Sequence, residues 1–271
     1  MEVNLGSLQS VFRNGYFDLC ESSHSHKQKI SSITYVSVST MTIIADLCLV
    51  VDILKLNHNF RSTAFPKCEV KELPSDSVSK KKSFYNQTTI WFQDHTKKSV
   101  KVFSNGRLHM TGLTSFEESL RTARIINEVI HLSPGATKSL NTKTIHDVRV
   151  VMINTNFSFG MSINIVALRD ILNTTKGDIL RADYQPDVYP GLKIKHHNGA
   201  SIFIFATGNV VMTASKTMQN VDLSYNCVVD CVIENWSKVC NNVKTAPSRS
   251  KKTNPPKYKD GYNYVQYMLA N

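Results

Sequence analysis

The sequence predicts an α+β fold of two pseudo-symmetric repeats, in which an antiparallel sheet carries its helices on one face. The first observation is an internal repeat: residues 102–112 (VFSNGRLHMTG) and 204–214 (IFATGNVVMTA) align without a gap. Each copy indicates a strand, a tight glycine turn and a second strand. The second observation is that each copy follows a strand and a helix and precedes another helix. The two halves therefore share one order of elements.

In the first half, residues 30–44 are rich in Val, Ile, Thr and Tyr and predict a long strand. A helix over about residues 46–57 follows. After the strand–turn–strand, Ser115 and Glu118 form the capping-box pattern that begins a helix. The apolar residues of this helix recur at the spacing of one buried face: Phe116, Leu120, Ala123, Ile126 and Ile130.

The second half repeats this order. Residues 148–157 (VRVVMINTNF) predict the counterpart of the first strand, and residues 162–172 have a helical apolar stripe. A last helix is predicted over about residues 221–239, after the second strand–turn–strand. With both halves alike, the helices are expected on one side of the sheet.

Charge and length limit the function. The 271 residues contain 32 Lys and Arg against 21 Asp and Glu, and the net charge of +11 favours a polyanion such as nucleic acid. No apolar run is long enough to span a bilayer, and no signal peptide is expected. The six cysteines form no CxxC pair. Cys227 and Cys231 could hold zinc with Cys240 or His196, but buried structural thiols are favoured.

The chain is expected to have four segments. Residues 1–29 are polar and rich in Ser and His, and residues 244–271 begin with a basic, proline-containing stretch, so both ends are predicted as tails. Residues 30–143 form the first repeat, with an insertion at about 73–87, and residues 144–243 form the second.

Alternation along the strands predicts which side chains face away from the helices. In residues 202–205 (IFIF) the isoleucines are expected to face the helices, which leaves Phe203 and Phe205 on the open side. The same alternation turns Lys101 and Phe103 outward. The following strands add four residues to this side: His109, Thr111, Val211 and Thr213. Such a face in a basic protein is expected to be covered by a ligand, or by another domain or subunit.

Two sequence blocks carry a resemblance to a known family. Residues 184–192 (YQPDVYPGL) are close to YEPELFPGL of the TATA-box-binding protein (TBP) family, and residues 204–208 (IFATG) follow at the matching distance. In the first half, residues 103–107 (FSNGR) are similar to the family's FSSGK. The similarity covers about residues 30–240 and resembles the divergent forms that large DNA viruses encode. It implies a TBP-like saddle, in which the antiparallel sheet is curved and the helices lie on its convex face.

In that family, aromatic side chains wedge into base steps of the DNA minor groove and bend the duplex. The resemblance places the four wedges on Phe65, Phe103, Tyr189 and Phe205, with Phe84 as the rival of Phe65. The groove-lining positions fall on six residues: Lys101, His109, Thr111, Phe203, Val211 and Thr213.

Some positions depart from the family pattern. Lys101, His109 and Phe203 replace small apolar or aliphatic residues. The paired asparagines at the family's dyad fall near Thr34 and Val150, with Asn154 and Asn156 several residues out of register. Preference for a TATA sequence is therefore an open question at this stage.

The resemblance also implies partners. Gln185 and Asp187 stand where the family contacts transcription factor IIB. The function expected is a monomeric initiation factor that bends A·T-rich double-stranded DNA and recruits a IIB-like protein and RNA polymerase, in a nucleus or a cytoplasmic virus factory.

Two other functions stay open. A scaffold that keeps the fold without binding DNA is the alternative. An enzyme is disfavoured because nucleotide-binding, hydrolase and metal-site motifs are missing from the sequence. No cofactor, no metal and no membrane partner are expected.

Overall fold

A computed structural model of the chain describes residues 21–60, 68–70, 86–93, 96–140, 144–175 and 177–241. These residues divide into two compact units. The first unit is Thr40–Val151, and the second joins residues 21–39 to residues 152–241. Residues 21–29 form the first described helix, α1.

The first unit is an antiparallel sheet with two helices. Its strands are β1 (Ser37–Asp46), β2 (Cys68–Val70), β3 (Gln87–Gln93), β4 (Lys97–Phe103) and β5 (Arg107–Leu113). Its helices are α2 (Ile53–Asn59) and α3 (Phe116–Leu132). The strand order is β2-β3-β4-β5-β1.

The second unit repeats this plan. Its sheet strands are β6 (His146–Ser158), β8 (Ile179–Asp183), β9 (Gly191–His196), β10 (Ser201–Phe205) and β11 (Asn209–Ser215), and a small separate pair is β7 (Ser162–Ile163) with β12 (Cys240–Asn241). Its helices are α4 (Ile165–Thr174), α5 (Met218–Glu234) and α6 (Trp236–Val239). Its strand order is β8-β9-β10-β11-β6, in which each strand corresponds to the strand at the same place in β2-β3-β4-β5-β1.

The strands of the two units also share one pairing register. Lys101 on β4 pairs with His109 on β5, and Phe203 on β10 pairs with Val211 on β11. Both members of the second pair lie 102 residues after those of the first (203 − 101 = 211 − 109 = 102). Residues of β4 and β5 thus have an equivalent position 102 residues later in β10 and β11.

The glycine turns hold the loop that follows the first strand of each unit. Leu47 N donates to Gly106 O at 3.1 Å, and Phe159 N donates to Gly208 O at 2.9 Å. Both glycines have a positive φ, 79° and 83°. A Cβ on Gly106 would collide with the backbone oxygen of Leu49, so this close approach requires glycine.

The strands of each unit bury the side chains that face its helices. The strand residues with 0% exposure include Ile43, Ile90, Val100, Val102, Leu108 and Met110 in the first unit, and Leu192, Ile194, Ile202, Ile204 and Met212 in the second. The capping box is confirmed, since Ser115 Oγ accepts a hydrogen bond from Glu118 N at 3.1 Å.

The helix predicted over residues 46–57 begins later than expected. Residues 47–52 form a loop that buries Leu47, Leu49 and Val51. Because these residues are apolar, the sequence pattern resembles the buried face of a helix. Asp52 ends the loop as the N-cap of α2, with its carboxylate accepting from Lys55 N at 3.0 Å. The predicted strand 30–44 likewise begins only at Ser37.

The second half agrees more closely with expectation. The helix predicted over 162–172 is α4, which begins after the N-cap Asn164. The helix predicted over 221–239 begins earlier, at Met218, and breaks at Asn235 into α5 and α6.

The polar N-terminal tail predicted over residues 1–29 is not a tail where the structure describes it. Helix α1 turns Ser23 and His26 inward, and His26 Nε2 lies 2.9 Å from Asp230 Oδ1 of α5. The His26 ring also meets Tyr225 edge-on, at 5.4 Å between centroids. The helix was missed because its buried face is polar in composition.

Other predicted segments fall outside the described residues. The C-terminal tail at 244–271 does so entirely, and the insertion at about 73–87 does so up to residue 85, since Gln87 already begins β3. Across the part of the chain that is described, no helix has the length and apolar character of a membrane span.

Candidate nucleic-acid interface

Each unit has an open face, formed by the strand residues that point away from its helices. In the first unit, β4 buries two valines and leaves Lys101 exposed and Phe103 partly exposed. Next to them on β5, His109 and Thr111 are partly exposed. These four side chains have the orientation that alternation predicts.

The open face of the second unit is more apolar. β10 buries two isoleucines and leaves Phe203 and Phe205 partly exposed. On β11, Val211 is 38% exposed and Thr213 is partly exposed. The predicted outward side chains therefore share one face here as well.

Three aromatic residues of the second unit form a cluster, which we call the aromatic cluster: Tyr189, Phe203 and Phe205. The Tyr189 ring lies 5.6 Å from that of Phe203 and 5.9 Å from that of Phe205, between centroids. Gly191 pairs with Phe205 and makes room for the cluster, because a Cβ there would lie 2.8 Å from Tyr189 Cε1. Tyr189 remains 41% exposed, so the cluster has a ring edge open to a ligand.

In the first unit, Phe103 occupies the position equivalent to Phe205. It ends β4 and pairs with Gln87 on β3. Phe65 and Phe84, the two candidates for the remaining wedge, both lie outside the described residues.

The structure adds two asparagines that the sequence comparison set out of register. On β6, Asn156 pairs with Val211, and Asn154 Oδ1 accepts a hydrogen bond from Thr213 Oγ1 at 2.5 Å. Their neighbours Ile153, Thr155 and Phe157 are buried. This period-two pattern in the sequence was the signal that would have placed both asparagines on the open face.

Basic and aromatic residues of the outer strands were also missed. Lys193 and Lys195 alternate with buried residues on β9, and Lys195 Nζ donates to Ser201 Oγ at 3.0 Å. In the first unit the position equivalent to Lys195 is Trp91, and Lys97 Nζ lies 4.5 Å above its ring. The alternation of these residues with apolar residues in the sequence could have predicted that they lie on the open face.

His109 has a distinct electrostatic environment. Its pKa is lowered, first by partial burial and then by the positive charge of Lys101 across the strand pair. Its Nδ1 is buried and, within the described residues, has no hydrogen-bond partner. At neutral pH the side chain is therefore an uncharged imidazole next to an ammonium group.

The predicted partner-binding residues lie in a turn between β8 and β9. Gln185 and Asp187 are both exposed. The carbonyl oxygen of Gln185 accepts from Val188 N at 3.0 Å and from Tyr189 N at 2.9 Å, which links this turn to the aromatic cluster.

The possible zinc ligands do not converge. Burial lowers the pKa of His196, and it raises the pKa values of Cys227 and Cys240 to about 11, so these thiols stay protonated. No group of three or more His, Cys, Asp or Glu residues suited to a metal occurs among the residues described.

Three comparisons with known proteins agree on one family. Residues 147–234 match the family described as transcription factor TFIID (or TATA-binding protein, TBP). A "TATA-box-binding protein-like" protein of Acanthamoeba polyphaga mimivirus is 24% identical over 77% of this chain and 68% of its own length. "TATA-box-binding protein 2" of Entamoeba histolytica is 25% identical over 54% of this chain and 64% of its own length.

The fold has a solved counterpart. Methanococcus jannaschii TBP matches 73% of this chain and 98% of its own, with a TM-score of 0.54 and 15% sequence identity. The likeness confirms the α+β, TBP-like fold class, with open antiparallel sheets and helices. Sequence and fold together support a divergent TBP-family protein.

Proposed function

We propose that this protein is a transcription initiation factor that binds promoter DNA in the minor groove through its open faces and bends it. The observation that carries the proposal is the matched pair Phe103 and Phe205. They occupy equivalent positions at the ends of β4 and β10, both before a glycine turn, and neither is buried. A duplicated, partly exposed aromatic side chain is what two symmetric wedges require.

The chemistry of the neighbouring residues suits a minor groove. The floor of that groove at A·T pairs offers hydrogen-bond acceptors and apolar sugar edges. Thr111 and Thr213 add hydroxyl groups, and Val211 adds a small apolar surface. Unstacking a base step costs a few kcal/mol, which burial and stacking of an aromatic ring offset.

The third and fourth wedges belong to the same proposal. Tyr189, held beside Phe205 in the aromatic cluster, is the third. The family resemblance gives Phe65 as the fourth, with Phe84 as its rival. The basic residues of β9 are suited to the flanking phosphates, since they are exposed beside the cluster: Lys193 and Lys195.

Recruitment of other proteins is a second part of the proposal. Gln185 and Asp187 are exposed beside the aromatic cluster, where they would meet a transcription factor IIB-like protein that brings RNA polymerase. The protein would act as a monomer, because the sequence duplication repeats the Phe103 segment at Phe205 within one chain. The mimivirus relative suggests work in a nucleus or a virus factory.

The test measures DNA affinity and bending on A·T-rich duplexes by mobility shift and by FRET between duplex ends. The Phe103→Ala, Phe205→Ala double variant should lose bending and about 100-fold in affinity, since each ring is worth roughly 1–3 kcal/mol in stacking. Leu223→Ala, which truncates an exposed residue of helix α5, is the control and should bend DNA normally. Unchanged bending in the double variant contradicts the proposal.

The salt dependence of DNA binding distinguishes the initiation factor from the scaffold that binds no DNA. Phosphate attraction is strongest at low ionic strength. If the protein binds no duplex even there, the scaffold function, which uses the same fold for protein contacts only, is the better account.

A further inference from the structure

Between β4 with β5 and β10 with β11, the open faces differ in chemistry at one equivalent cross-strand pair. In the first unit the cross-strand pair is Lys101 with His109, and in the second it is Phe203 with Val211. The adjacent cross-strand pairs are alike in both units: Ser99 with Thr111, and Ser201 with Thr213. On these two strand pairs, the asymmetry lies in the cross-strand pair next to the matched serine and threonine.

The pair in the second unit offers nothing to a guanine. In the minor groove, a G·C pair differs from an A·T pair by the guanine N2 amino group, which is a hydrogen-bond donor. Against Phe203 and Val211 that donor would be buried without an acceptor, at a cost of about 1–3 kcal/mol. This half of the surface therefore selects A·T pairs.

The pair in the first unit can satisfy a guanine. A neutral imidazole has one nitrogen that donates and one that accepts, and the lowered pKa of His109 keeps it in that form at neutral pH. The Lys101 ammonium can donate to the O2 and N3 acceptors that every base pair presents. Neither side chain penalises the amino group as an apolar surface does.

We propose that the first unit accepts G·C pairs where the second unit requires A·T pairs, so that the protein binds an asymmetric site with one strictly A·T half. This inference rests on the proposed function, because it presumes that both open faces meet one duplex. It assigns base selection to Lys101, His109, Phe203 and Val211.

The test uses four duplexes of equal length that carry G·C pairs in neither half, in the left half, in the right half or in both. Because the complex can form in either orientation, wild-type protein should bind the first three within about 3-fold of one another. It should lose about 10-fold on the fourth, which corresponds to about 1.4 kcal/mol.

Two reciprocal variants locate the effect. Lys101→Phe with His109→Val makes the first unit like the second, and it should lose about 10-fold with G·C pairs in either half alone. Phe203→Lys with Val211→His should bind all four duplexes alike. Affinity for the all-A·T duplex, together with a cooperative unfolding transition, shows that each variant is folded.

The outcomes distinguish an error in the asymmetric base selection from an error in the proposed DNA-binding function. If the wild-type protein binds and bends DNA but loses affinity equally for G·C pairs in either half, the asymmetry is wrong and the proposed function stands. If the wild-type protein neither binds nor bends any duplex, both the proposed function and this inference are wrong.

Discussion

Gly112 and Ala214 occupy equivalent positions, 102 residues apart, and both adopt a left-handed backbone with φ of 83° and 63°. Each lies at a register shift where β5 meets β1 or β11 meets β6. The two units thus use the same bulge, but only the first has the residue that tolerates it without strain.

We expect Ala214→Gly to stabilise the protein. An L-residue in this conformation costs about 1–2 kcal/mol, part of which the greater freedom of glycine in the unfolded chain cancels. A net gain of about 0.5–1 kcal/mol should appear in urea unfolding followed by circular dichroism. Gly177→Ala, at an exposed glycine with no atom near its Cβ position, should change stability by less than about 0.5 kcal/mol.

The reverse change at the equivalent position should be harmful. A Cβ on Gly112 would lie 2.7 Å from the backbone oxygen of Lys97, which cannot move as a side chain can. Gly112→Ala should therefore cost about 1–3 kcal/mol. If Ala214→Gly and Gly112→Ala both stabilised the protein, or both destabilised it, the two bulges would not be equivalent.

The aromatic cluster gives a prediction about DNA. An alanine at Gly191 would place its Cβ 2.8 Å from Tyr189 Cε1 and 3.0 Å from Phe205 Cε1, so at least one ring must shift. Because these are the ends of side chains, the fold should survive. Affinity for A·T-rich DNA should fall about 10-fold, or about 1.4 kcal/mol, in a fluorescence titration. Wild-type affinity in this variant would mean that the rings do not insert.

The pairing register also predicts which residue supplies the fourth wedge. Gln87 pairs with Phe103 as Gly191 pairs with Phe205, so these two positions are equivalent. Tyr189 stands two residues before Gly191, and the residue two before Gln87 in the sequence is Tyr85, which lies outside the described residues.

We therefore expect Tyr85→Ala to reduce DNA bending by more than Phe65→Ala or Phe84→Ala does. The measurement is the FRET efficiency between the ends of a bound A·T-rich duplex, at saturating protein. A larger loss in Phe65→Ala would restore the assignment made from the family resemblance.

The sequence predicts the elements and the exposed side chains of this protein only where the spacing of apolar residues reflects which face is buried. Alternation correctly placed Phe203 and Phe205, because buried isoleucines mark the other face. It failed for residues 47–52, where the loop is apolar because it packs under a glycine turn. It also failed for α1, whose buried His26 is held by a contact with Asp230, distant in sequence.

Lys98 is the sharpest exception to alternation. It lies on the helix-facing side of β4 with 0% exposure, and its Nζ lies 2.7 Å from Glu118 Oε1 of α3, which is 11% exposed. Lys98→Met should cost about 3–5 kcal/mol in urea unfolding, since it leaves a nearly buried carboxylate without its cation. Adding Glu118→Gln should recover part of this loss. If the double variant is less stable than the single one, the ion pair is not the cause.

DNA affinity should rise as pH falls, through His109. Its pKa in the free protein is lowered from 6.5, by burial first and then by Lys101, which faces it from β4; its partner on β1 is the apolar Ile44. On an all-A·T duplex, the groove acceptors and phosphates near a bound His109 favour the charged form, so binding takes up a proton. The affinity gain should therefore develop below about pH 7 and level off once the free protein is itself protonated. His109→Gln should remove this part of the pH dependence in a titration between pH 5.5 and 7.5, at constant ionic strength. A variant with the wild-type pH profile would assign the proton to another group.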